Sequence, residues 1–172
     1  MKVLDYENFA IHGFFIKYPI SCKVELDPDS DWNKGNVVFK LPTGDRIFLS
    51  WGPIQTAIKK YRDLLTFANA GLDRIRKMQM VTKIEAVETE SKKVYGHDTI
   101  FSHFKVQLGK PSLFSLFKRQ ETVLREIWTY HGFCHDSERY FIIYGISEMR
   151  NSVKLSEILR YMQASFRCHA PK

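Results

Sequence analysis

Asn36-Val37-Val38-Phe39-Lys40-Leu41-Pro42-Thr43-Gly44-Asp45-Arg46-Ile47-Phe48-Leu49-Ser50-Trp51 is the stretch that sets the fold class. Two apolar runs flank a short Pro/Gly/Asp turn, the signature of an antiparallel hairpin. After Pro53 the apolar period lengthens. Ala57, Tyr61, Leu64, Leu65, Ala68, Leu72 and Ile75 recur at helical spacing, with Lys, Arg and Asp between them. That spacing predicts one long amphipathic helix ending near Met78, whose stripe must cover a sheet or another helix. Gly71 is its expected weak point or bend.

Outward from there the pattern returns to strands. On the amino-terminal side, Phe14-Phe15-Ile16-Lys17-Tyr18-Pro19 reads as a strand ended by proline, and a short strand carries Cys22, Val24 and Leu26. Asp27-Pro28-Asp29-Ser30-Asp31 is turn chemistry. On the other side, Val81 to Thr89 is β-branched and alternating. From Asp98 to Leu108, Ile100, Ser102, Phe104, Val106 and Leu108 share one face. Val123 to Phe133 and Tyr140 to Ile146 are apolar on both faces, as interior strands are. A second amphipathic helix closes the chain, with Leu155, Ile158, Leu159, Met162 and Phe166 in one stripe and Asn151-Ser152 as capping chemistry. Strands on short turns interrupted by two one-sided helices imply an α+β fold, a central antiparallel β-sheet flanked by two main helices. The 172 residues fit one domain, and no internal repeat or low-complexity segment divides them.

Composition bounds the partners. Lys+Arg 26 against Asp+Glu 19 gives a net charge of +7, which favours acidic partners. The excess is spread along the chain, without a basic tail. Nowhere is there an apolar run long enough for a membrane-spanning helix, and the first residues lack the apolar core of a signal peptide. The cysteines Cys22, Cys134 and Cys168 are few and odd in number, which argues against a disulfide framework and for a reducing, cytoplasmic setting.

Three local signatures, in order along nearly the whole chain, resemble one family. They are the opening Phe14-Phe15-Ile16-Lys17-Tyr18-Pro19, the single glycine of Val94-Tyr95-Gly96-His97-Asp98, and the closing helix Ile158-Leu159-Arg160-Tyr161-Met162-Gln163-Ala164-Ser165-Phe166 with its serine-phenylalanine end. The chain resembles the family of the photosystem II extrinsic subunit PsbP and the Ran-binding Mog protein. The resemblance implies an α/β/α sandwich used as a non-catalytic binding platform. It carries over no functional residue, since fold transfers better than function. No chloroplast transit segment is present, and no acidic patch suggests the Ran-binding surface.

No phosphate-cradling glycine motif is present, and no cofactor is expected. One cluster could carry metal or disulfide chemistry: His131, Cys134 and His135, joined by Cys168 and His169 near the carboxyl end. Zinc takes thiolates and imidazoles in a tetrahedral shell, and His131 with Cys134 has workable ligand spacing. A Cys134–Cys168 disulfide is the alternative, and buried thiols doing neither are the plainer expectation. Cys134-His135-Asp136 holds the residue types of a thiol hydrolase but not its presentation on an elbow or helix end. His97-Asp98 reads as a hydrogen-bonded turn. Leu113, Phe114, Leu116, Phe117, Lys118 and Arg119 place four large apolar groups and two cations where a polar hairpin loop is expected: a candidate surface for a partner or for self-association, with a lid folded back on the domain's own core as the plainer expectation. The sequence thus predicts a non-enzymatic module that binds another protein, ahead of a metal- or thiol-dependent protein, a nucleic-acid binder or a protein of anionic membranes.

Overall fold

The structure, a computed structural model, describes residues 5–109 and 122–170. Nine strands and three helices follow in order: β1 (Tyr6–Ile11), β2 (Phe14–Pro19), β3 (Lys23–Leu26), β4 (Gly35–Lys40), β5 (Arg46–Pro53), α1 (Ile54–Tyr61), α2 (Leu64–Arg76), β6 (Val81–Val94), β7 (His97–Gly109), β8 (Thr122–Cys134), β9 (Arg139–Glu148) and α3 (Ser152–Ser165). Seven of the strands form one sheet in the order β3-β4-β5-β9-β8-β7-β6, with every neighbouring pair antiparallel. β1 and β2 form a separate hairpin. The expected α+β fold with a central antiparallel sheet is therefore present.

The hairpin that set the fold class forms at the expected place. Leu41 N–H donates to the Asp45 carbonyl, and Gly44 N–H donates back to that of Leu41. Gly44 sits at φ +87°, a conformation other residues rarely adopt. The β6–β7 turn uses Tyr95 and Gly96, both at positive φ, as two-residue hairpins require.

One expectation fails. The single helix over 57–78 is two helices, broken at Arg62, which takes φ +66°, rather than at Gly71. The break is a local capping event. Asp63 Oδ1 accepts from Thr66 N–H at 2.7 Å, starting a new helix that tertiary packing can aim independently. Gly71 remains inside α2, where a Cβ would lie 3.1 Å from His131 Nε2, so the glycine lets the helix lie close on β8. At the other end, α3 is preceded by a 3-10 turn at Met149–Asn151, and Asn151 makes no side-chain cap bond.

The two faces of the sheet are covered differently. On one, α3 and the β1–β2 hairpin close over Val37, Phe39, Ile47, Leu49, Trp51, Phe141 and Ile143. Leu155, Ile158, Leu159, Met162 and Phe166 supply the helical side, each at most 2 % exposed. Burial of this kind contributes roughly 1.5–3 kcal/mol per large side chain. The sheet is interlocked here: a Cβ on Gly132 would overlap the Phe141 ring, so β8 and β9 fit only with glycine at that point. On the other face α1 and α2 cover only part, around a smaller core of Phe104, Val106 and Ile127 with Leu72 and Ile75.

Candidate functional site

Two places in the molecule gather chemistry. At one end of the closed face, His97, Cys134, Cys168 and His169 each offer a ligand atom, and these four atoms lie within 4.8 Å of one another. Strand register explains half of the cluster. Thr99 pairs with Gly132, so two residues further along His97 stands opposite Cys134, and their Nε2 and Sγ are 3.6 Å apart. The other half arrives on the segment after α3. Arg167 bridges to Phe15 through two backbone hydrogen bonds of 2.9 and 2.8 Å.

Arg139, 2 % exposed, holds the same segment from beneath. Its guanidinium donates to the carbonyls of Cys168 (3.3 Å), His12 (2.7 Å) and Trp32 (3.0 Å). It also lies over the rings of Phe14 and Trp32, at 4.0 and 4.3 Å. Desolvating a guanidinium is costly unless its donors are met; here the two terminal nitrogens point at three chain segments at once, while Nε is buried without a hydrogen-bond partner.

The electrostatics follow from this crowding. The Cys134 thiol is pulled well below its ordinary value, chiefly by the neighbouring Cys168 thiol, and Cys168 is pushed up by the same neighbour and by burial. Asp136 Oδ2 stands 3.4 Å from His169 Nε2 and 3.7 Å from His97 Nε2, adding negative charge to the same spot.

Of the residues singled out in the sequence, Cys134, Cys168 and His169 meet in this cluster, while His131 and His135 do not. Side chains alternate along a strand, so residues three apart point to opposite faces. His131 therefore faces α2, edge-on to Phe67 at 5.3 Å, while Cys134 faces α3. His135 is an exposed turn residue. His97, read from sequence as a turn residue, is the fourth ligand-type group. Its neighbour Asp98 points away and pairs with Lys93 at 2.8 Å. Leu113, Phe114, Leu116, Phe117, Lys118 and Arg119 lie outside the described residues.

The second place is a groove of about 580 Å³ on the partly covered face, between α2 and the strands β5, β9, β8 and β7. Its floor is apolar, with Phe48, Tyr144, Ile142, Ile146, Phe104 and Leu108. Among the described residues, three arginines line it, Arg46, Arg74 and Arg125, and no carboxylate does. Within it Arg125 Nε, Thr129 Oγ1 and His131 Nδ1 are buried without a hydrogen-bond partner. Burial holds the His131 ring down at about 4, so it is neutral near pH 7. All three belong to one face of β8. Polar residues at 125, 129 and 131 on an interior strand were the signal for this site in the sequence.

Comparison with known proteins places this architecture. No protein-family model and no curated protein matches the sequence. Solved structures do match. The solution structure of cyanobacterial PsbP (CyanoP) from Synechocystis superposes with a TM-score of 0.56 over 97% of this chain and 94% of that one, at 11% identity. The crystal structure of the Saccharomyces cerevisiae Ran-binding protein Mog1p superposes with a TM-score of 0.60 over 96% of each chain, at 9% identity. The fold is PsbP/Mog-like. At such identities the PsbP/Mog-like likeness concerns backbone architecture alone, and both sites described above stand on this chain's own residues. Among the described residues no helix is long and apolar enough to cross a membrane.

Proposed function

We propose that this chain is a non-catalytic binding domain that docks an apolar segment of another protein, carrying carboxylates, in the groove beside α2. One observation carries it. Among the described residues, an apolar floor is rimmed by Arg46, Arg74 and Arg125 with no acid in the lining, over buried polar atoms of Arg125, Thr129 and His131 that lack partners. An unpaired buried donor or acceptor costs about 1–3 kcal/mol. A protein keeps three together where an occupant supplies the missing bonds. A carboxylate answers the arginines, and leucine- or phenylalanine-type side chains answer the floor. Mog1p, of the same fold, is described as Ran-binding, which favours a protein occupant over a small one. The expected positive surface bias of the chain, +7, suits an acidic partner.

The test is a fluorescence-anisotropy titration with designed amphipathic peptides, one acidic and one with the charges reversed to basic. The acidic peptide is expected to bind wild type with salt-sensitive affinity, to lose at least about tenfold with Arg125→Glu, and to be replaced by the basic peptide on an Arg46→Glu, Arg125→Glu variant. Equal binding of both peptides, or indifference to Arg125→Glu, overturns the proposal. So does a lipophilic carboxylate bound to the natively purified protein together with no peptide binding, which would make the groove a small-ligand pocket.

A further inference from the structure

We infer that His97, Cys134, Cys168 and His169 form a structural zinc centre that fastens the carboxyl-terminal segment to the end of the β7–β8 hairpin. The geometry is that of a preformed shell. With Zn–S near 2.3 Å and Zn–N near 2.0–2.1 Å, a tetrahedron has N···N edges of about 3.3 Å and N···S edges of about 3.6 Å. The two imidazole Nε2 atoms are 3.2 Å apart, and His97 Nε2 lies 3.6 Å from Cys134 Sγ. The remaining separations stay within 4.8 Å, a range that side-chain torsions alone can tighten.

The ligand chemistry agrees with the spacing. His169 Nδ1 lies 2.7 Å from the Ala170 carbonyl. A carbonyl can only accept, so Nδ1 carries the proton and Nε2 presents its lone pair to the cluster. Metal-bound histidines are oriented in the same way, by a hydrogen bond to the far ring nitrogen. Two sulfurs and two nitrogens, from two buried cysteines and two partly buried histidines, favour zinc over the harder divalent cations. Binding displaces to solvent the protons that the two thiols still hold and moves no electrons: Zn²⁺ takes Cys134 and Cys168 as thiolates and the histidines as neutral imidazoles.

The consequence is mechanical. The ligands are separated by 37 residues between His97 and Cys134, and by 72 between His97 and His169. One ion would thus close two long loops, which restricts the unfolded chain. It would tie the end of the chain to the closed face, leaving the groove on the other face untouched.

The experiment measures metal content by elemental analysis of protein purified without chelators, followed by cobalt substitution. Expected are about one zinc per chain, a cobalt spectrum with thiolate charge-transfer and intense tetrahedral d–d bands, and a chelator-dependent fall in melting temperature. Cys168→Ser and His169→Gln should each lose the metal, while Cys22→Ser, at a cysteine away from the cluster, should keep it. The His169→Gln variant leaves the buried thiols in place, so it separates metal loss from misfolding, with circular dichroism as the check. Absence of metal, a cobalt spectrum without thiolate bands, a Cys134–Cys168 disulfide in freshly prepared protein, or stoichiometric iron or copper instead would each overturn the assignment.

Discussion

The two faces of the central sheet are made from alternate residues of the same strands, yet they solve opposite problems. Under α3 the face is dry and interlocked, with Phe141 between Gly132 and Phe166 and no side chain exposed by more than 2 % along the helical stripe. Under α2 the cover is incomplete, and β8 turns a basic, polar stripe of Arg125, Thr129 and His131 toward a groove. One face is packed dry around aromatic and aliphatic side chains, while the other lines up three unpartnered polar atoms along a single strand. The difference teaches that stability and binding can be assigned to opposite sides of a single strand, because the pleat separates them residue by residue.

The sharpest test of the closed face is Phe141→Ala. The ring is fully buried and packs tilted against Phe166 with centroids 4.7 Å apart, so its loss should cost about 3–5 kcal/mol in urea unfolding. A cost below about 1 kcal/mol would mean that the closed face can collapse into the space, and the contrast between faces would be lost.

A smaller effect is expected on the open face, and it depends on pH. His131 has a folded-state pKa near 4, against 6.5 for the unfolded chain, because burial and Arg74 oppose its charging. The unfolded state therefore binds more protons between these values. Its contribution to stability is complete above about pH 6.5 and is lost as pH falls toward 4, a decline of about 3 kcal/mol at most. His131→Gln should flatten this part of the melting temperature against pH profile, measured beside wild type. An unchanged profile would show that the ring is hydrated or otherwise partnered.

The smallest effect has the opposite sign. Thr129→Val replaces an unpartnered buried hydroxyl by a methyl of similar shape, and should raise stability by about 1 kcal/mol while weakening the acidic peptide. If Thr129→Val destabilises the protein, the hydroxyl is satisfied and the groove loses part of its rationale.

Much of the fold was legible because each strand and helix declares its period locally. The hairpin around Pro42-Thr43-Gly44-Asp45, the interior strands at 123–133 and 140–146 and the α3 stripe all lie where alternation and helical spacing put them. The β1 strand escaped notice, since Tyr6–Ile11 is mostly exposed and alternates weakly. The helix break at Arg62 escaped too, because helical periodicity continues across it and only the Asp63 cap marks the interruption. The candidate metal cluster was legible in part. Cys134, Cys168 and His169 were recognisable by residue type, but His131 looked equivalent to His97, and only strand direction tells them apart.

By itself the sequence determined the order of elements, their apolar sides and the stock of thiols, imidazoles and arginines, because these depend on residues a few positions apart. Tertiary structure alone decided that His97 meets His169 across 72 residues, and that Arg46 and Arg74 stand on the rim above Arg125. Those meetings are set by strand register and helix docking. A shift of one residue in strand register would send His97, Arg46 and Arg125 to the other face of the sheet, and no local pattern records that choice.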